Sequence, residues 1–168
     1  GLGDVYKRQP TFDVFIDDGS HTSRDIVLTF CNYFRHVNAG GTYVVEDLHC
    51  SYLPRWGGGI DRGDTSMEFL KLLADFVNQP YWQREREPLA LLAPFFPGGA
   101  RPDPTSFRDI VSVTFYDSMC VVEKRAHGAV AGLGERVVVG AREALCSHEL
   151  TATGVNWISG TAPEGPTR

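Results

Sequence analysis

Little in this sequence points to a membrane, a nucleic acid or an oxidising compartment. Its apolar runs are short, and none approaches the ~20 residues that a helix needs to cross a bilayer. No charged segment followed by an apolar one opens the chain, so no secretory leader is read. Basic residues gather into no stripe and the formal net charge is -5, which argues against nucleic-acid binding. The four cysteines, Cys31, Cys50, Cys120 and Cys146, form no C-x-x-C pair. Cys31 and Cys120 fall in apolar patterns and read as small buried hydrophobes, and a reducing cytoplasm is the default compartment. No internal repeat is visible. What is present is an ordinary globular composition, 42% hydrophobic and 22% charged over 168 residues, enough for one domain with a core.

One stretch organises the rest. Phe12, Val14, Phe15 and Ile16 run into Asp17 and Asp18, and Tyr43, Val44 and Val45 run into Glu46 and Asp47. Short runs rich in β-branched and aromatic residues predict buried strands. Between them Ile26, Val27, Phe30, Cys31, Phe34 and Val37 recur at helical spacing. Strand, helix, strand predicts a right-handed βαβ unit, with both strands' carboxyl ends on one edge of the sheet. Asp18 and Glu46 then become neighbours, with Asp47 and His21 beside them. Carboxylates at such range repel unless protonated or bridged by a cation, and oxygen donors favour a hard ion such as Mg²⁺ or Ca²⁺. The bland alternative is that these acids cap the next helix or face water.

The remainder is read more briefly. Residues Asp4 to Gln9 look like a translated sequencing adaptor, so residues 1–9 are set aside and the natural sequence is expected to start near Pro10. Thr22 or Ser23 is expected to start the first helix, Arg35 and His36 to suit its last turn, and Asn38 to Gly41 to stop it. Leu53 to Asp64, with Gly57, Gly58 and Gly59 in a row, predicts a mobile loop near the acidic edge. A second helix is predicted over Thr65 to Asn78, capped by Asp64 or Thr65. Gln79 to Asp109 is broken by prolines, with a short helix near Glu87 to Ala93; it reads as a lid, a substrate wall or a plain connector. Ile110 to Tyr116 and Met119 to Glu123 predict an antiparallel hairpin turning at Asp117 and Ser118. Residues 125–168 have weak periodicity: Val137 to Cys146 reads as a short strand or helix, and Thr161 to Arg168 as a disordered tail.

The motifs D-D-G-S-H at 17 to 21, V-E-D-L-H-C-S-Y at 45 to 52 and F-Y-D-S-M at 115 to 119 resemble those of a known family. They are similar to the metal-dependent sugar O-methyltransferases of macrolide biosynthesis, the mycinamicin type, and to relatives called cephalosporin-hydroxylase-like. The resemblance covers roughly Phe12 to Lys124. It implies an α/β fold, the C-terminal part of a Rossmann-like class I methyltransferase sheet, with residues 10–124 as a partial domain. It implies that Asp18, Glu46 and Asp47 hold Mg²⁺ and that His21 is the general base removing the proton of a sugar or polyol hydroxyl. That oxygen then attacks the methyl carbon of S-adenosylmethionine. His49 and Tyr52 are expected behind the ligands or facing substrate, and Tyr52 and Trp56 read equally as packing. The family's Gly-rich turn and second-strand acid have no counterpart here, so only the Asp17 strand end is assigned to the cofactor. The chain is expected to be a truncated enzyme, poorly soluble or loosely packed on its own and binding the cofactor weakly if at all, from a parent able to form homo-oligomers. Two other classes stay open: a metal-dependent hydroxylase or hydrolase, and a non-catalytic domain keeping the fold. An iron oxygenase is disfavoured because acids outnumber histidines in the motif.

Overall fold

A computed structural model describes residues 10–82, 87–97 and 104–129; the expectations for residues 1–9 and 130–168 lie outside the described residues. Strand β1 spans Phe12–Asp17, helix α1 Ser23–Tyr33, strand β2 Val37–Val45, and helix α2 Ser66–Val77. A short helix α3 follows at Pro88–Leu92, then strands β3, Ile110–Tyr116, and β4, Met119–Lys124. The sheet order is β1-β2-β4-β3. β1 and β2 are parallel, as a crossover through α1 requires, whereas β4 is antiparallel to both its neighbours. The βαβ unit, the second helix and the hairpin therefore appear as the sequence predicts.

The pleat sorts the side chains into two faces. Phe15, Tyr43, Val122 and Val113 stand opposite one another in register, and Asp17, Val45, Cys120 and Phe115 form the next row. This face meets the helices. Phe30 of α1 and Phe69 of α2 are fully buried there with Tyr43, Val45 and Val122, and Phe30 meets the rings of Phe34, Tyr43, Phe69 and Phe107. The opposite face carries the row Ile16, Val44, Val121 and Thr114. On it Val14 and Ile16 are 57% and 56% exposed, so β1 is buried on one face and not on two.

The helix starts follow the sequence closely. Thr22 caps α1 by accepting from Asp25 N, and Thr65 caps α2 by accepting from Glu68 N, each satisfying an orphan donor of the first turn. The stop after α1 differs from expectation. Asn38 to Gly41 lie inside β2, in a bulge where Phe12 pairs with Val37 but Val14 pairs with Thr42. Gly40 has φ +80°, and a Cβ on Gly41 would come within 2.7 Å of the Asp13 carbonyl. Both positions therefore need glycine for strand geometry. The Gly57 to Gly59 run is folded back on the turn before it, not loose. Gly58 N donates to Leu53 O and Gly59 N to Ser51 O, and a Cβ on Gly58 would lie 2.3 Å from Ser51 O.

Candidate metal centre at the carboxyl edge of the sheet

β1 and β2 end together, Asp17 opposite Val45, and Glu46 N donates to Asp17 O at 3.1 Å to add one more bond to the ladder. Beyond that point both chains turn sharply. Asp18 to His21 lead into α1, and Asp47 leads into a 3-10 turn, Leu48–Tyr52. His21 and Asp47 both hold left-handed backbone, φ 57° and 54°, a region disfavoured for side chains with a Cβ.

These turns bring three side chains together. One oxygen of Asp18, one of Asp47 and a ring nitrogen of His21 lie within 4.8 Å of one another. His21 Nε2 is 3.5 Å from Asp47 Oδ2 and 3.9 Å from Asp18 Oδ1. The two acids are half-exposed or more, while the His21 side chain is 20% exposed and edges onto Trp56 at a centroid distance of 6.0 Å. Arg55 lies over the Trp56 ring, whose Nε1 is buried without a hydrogen-bond partner. Two carboxylates and an imidazole at this spacing make a donor set that fits a divalent cation.

The other singled-out residues are distributed around this trio. Glu46 stands outside it among the described residues; by strand alternation it faces away from its buried neighbour Val45. Asp17 is buried and accepts from the Tyr43 hydroxyl at 3.2 Å. Burial holds its carboxyl above the ordinary value, against the lowering effect of the bonds from Tyr43 and the Gly19 backbone. His49 is 57% exposed with Nδ1 3.8 Å from Asp47 Oδ1, and Tyr52 is exposed at the end of its turn. The Ser66 hydroxyl at the start of α2 meets Ser23 Oγ from α1 and Ser51 Oγ from the 48–52 turn, all buried. This hydroxyl contact ties the elements that carry the trio.

Sequence reasoning gives no site role to Ser51, Ser66 or Ser118. Ser118 Oγ lies 2.7 Å from His49 Nδ1. The available signal was F-Y-D-S-M, a turn motif that the hairpin places at this same edge.

No protein-family model matches the chain. Among curated proteins, the 8-demethyl-8-alpha-L-rhamnosyl tetracenomycin-C 2'-O-methyltransferase of Streptomyces olivaceus is 37% identical over 127 residues, 73% of this chain and 30% of that protein. Demethylmacrocin O-methyltransferase of Streptomyces fradiae is 30% identical over 133 residues, 78% of this chain and 31% of that protein. Among solved structures, MycE methyltransferase of the mycinamycin biosynthetic pathway, in complex with Mg, SAH and mycinamycin VI, aligns with a TM-score of 0.56 at 30% identity. That alignment covers 76% of this chain and 29% of MycE. The chain thus spans about three tenths of the length of the relatives it matches. Over that span, its sequence and its sheet are similar to those of mycinamicin-type sugar O-methyltransferases.

Proposed function

We propose that the protein is a divalent-metal-dependent O-methyltransferase that moves a methyl group from S-adenosylmethionine to a hydroxyl of a sugar or polyol. The observation that carries this reading is the convergence of Asp18, His21 and Asp47 at the carboxyl edge of the sheet. The kinship with enzymes named for rhamnosyl and macrolide substrates supports the acceptor class, and the magnesium in MycE supports the ion. Asp18 and Asp47 are assigned as ligands, with Glu46 as the third carboxylate. A divalent cation, when bound, supplies Lewis acidity toward the acceptor hydroxyl.

His21 does the proton work in this reading. Its Nε2 faces both acids, and an imidazole is suited to take a hydroxyl proton near neutral pH. Its partial burial against Trp56 limits the ring's rotation and the water around it. Asp17 contributes at the cofactor side through its strand end, since its carboxylate is already bonded to Tyr43. Residues 10–124 are assigned as the partial domain that carries the metal ligands and the base, most of the cofactor site lying outside it.

One observation favours a second role for His21: its ring nitrogen, and not the Glu46 carboxylate, completes the trio. Titration with Mn²⁺ by calorimetry separates the roles. The chain is expected to bind one ion, and Asp18→Asn or Asp47→Asn to weaken that binding about tenfold or more. His21→Ala is expected to leave affinity within about twofold if the ring serves as base; a loss matching that of the acids makes it a ligand. Absence of Mn²⁺ binding by the unaltered chain sinks the metal reading.

A further inference from the structure

Among the described residues, the non-glycine positions with left-handed backbone are His21, Asp47 and Ser118, the last at φ 58°. The first two belong to the acidic trio. The third comes from the turn between β3 and β4, in the F-Y-D-S-M motif, which has so far been given no role. The antiparallel pairing of β2 with β4 sets Val45 opposite Cys120, so this turn lies just past the carboxyl end of β2.

There Ser118 meets the two residues that follow Asp47. Its carbonyl accepts from Leu48 N at 2.9 Å. Its hydroxyl accepts from His49 N at 3.3 Å and sits 2.7 Å from His49 Nδ1. On the other side, Asp47 O accepts from Cys50 N at 3.0 Å. Left-handed backbone at a residue with a Cβ carries a steric cost and persists only where its surroundings hold it. Ser118 supplies that hold from a distant part of the chain.

The side chain at 118 is itself informative. A residue serving only the hairpin would do best as glycine, which enters the left-handed region without strain. Serine there accepts strain and offers a hydroxyl, and that hydroxyl is spent on the acidic segment.

We propose that Ser118 is a positioning residue of the acidic site, holding Asp47 in the conformation that faces Asp18 and His21 and fixing the His49 ring beside it. The role in ligation rests on the metal reading above; the hold on residues 47 to 49 does not. Ser118→Gly tests both, because it keeps the turn backbone and its carbonyl, eases the strain at that φ and removes the hydroxymethyl group that reaches His49. Mn²⁺ affinity is expected to fall about tenfold with the melting temperature unchanged or raised. Ser118→Asn, which tolerates left-handed backbone and offers an oxygen, is expected to regain part of the loss. Amide exchange of His49 in metal-free protein is expected to speed up about tenfold in Ser118→Gly, with Val44 unchanged. Mn²⁺ affinity equal to that of the unaltered chain overturns the proposal whatever the exchange shows. Should the unaltered chain bind no Mn²⁺, the metal reading fails by itself, and His49 exchange decides the hold: faster supports it, equal overturns it.

Discussion

Asp17 and Asp18 are neighbours in sequence and opposites in environment. Asp17 lies in register with Val45 on the helix side of the sheet and is 7% exposed. Asp18 has cleared the strand and joins the trio. Glu46 and Asp47 divide in the same way, one still following the pleat and the other turned by left-handed backbone. The sequence makes legible that acids gather at paired strand ends, because apolar runs that stop at carboxylates reveal where strands finish. The resemblance separates Asp18 from Asp17 but treats Glu46 and Asp47 alike; that Asp47 and not Glu46 joins the trio depends on strand phase and on one backbone angle, which the sequence does not display. Burial has a titration consequence for Asp17. Its carboxyl is raised above 3.8, with desolvation the largest cause, so the folded state holds the proton more tightly than the unfolded chain. Folding stability from this group is therefore greatest below the ordinary carboxylate value and is lost as pH rises from there through the raised value. Asp17→Asn keeps an acceptor for Tyr43 and removes the charge. Urea unfolding between about pH 4 and pH 7 is expected to show a flatter stability profile in the variant, which gains on the parent protein as pH rises. A variant that instead loses ground to the parent protein as pH rises would mean that the hydrogen bonds outweigh burial.

Secondary elements were the most readable level where the signal is local. Thr22 and Thr65 are caps with a side-chain bond to the first turn, and the two-residue turn at Asp117 and Ser118 joins strands of alternating character. Signals that depend on distant partners were misread. Asn38 to Gly41 look like a loop because glycine is common in turns, yet the close approach of Asp13 requires glycine inside β2. Arg35 and His36 do fall in the last turn, the 3-10 extension Phe34–His36 after α1, and a further cation reaches it from β4. Lys124 Nζ donates to the carbonyls of Val37, Arg35 and Phe34 at 2.9, 3.1 and 3.4 Å, and it lies over the Phe34 ring. It closes the helix end and the bulged start of β2 in one contact. Lys124→Met keeps the stem and removes the donor, leaving carbonyls unmatched. It is expected to cost about 1–3 kcal/mol, measured by urea unfolding, with Mn²⁺ affinity unchanged because the residue lies at the other end of β2 from the acids. A cost within about 0.5 kcal/mol would assign those carbonyls to water.

At the scale of the whole molecule, one sheet face is packed and the other offers apolar side chains to solvent. No described helix is long and apolar enough to cross a membrane. Val14 and Ile16 exceed half exposure in the row that continues through Val44 and Val121. Ile16→Thr is expected to change stability by no more than about 0.5 kcal/mol while lowering the fluorescence of a bound hydrophobic dye. A loss above about 2 kcal/mol would show that the face is covered in solution, since only a buried methyl group carries that cost. The strand order also sets a sequence of events in time. β3 and β4 are joined by a turn of two residues, so their pairing is a matter of ~1–10 μs. β2 reaches β4 only by closing a long loop: His49 and Ser118, which meet at the edge, are 69 positions apart. Pairing over such separations is slow, because chain entropy is lost before contacts repay it. The two halves of the acidic edge are therefore strangers early in folding. On the proposed hold of Ser118, Asp47 settles into its left-handed turn once the hairpin arrives, and the acidic trio is a late property of the folding chain.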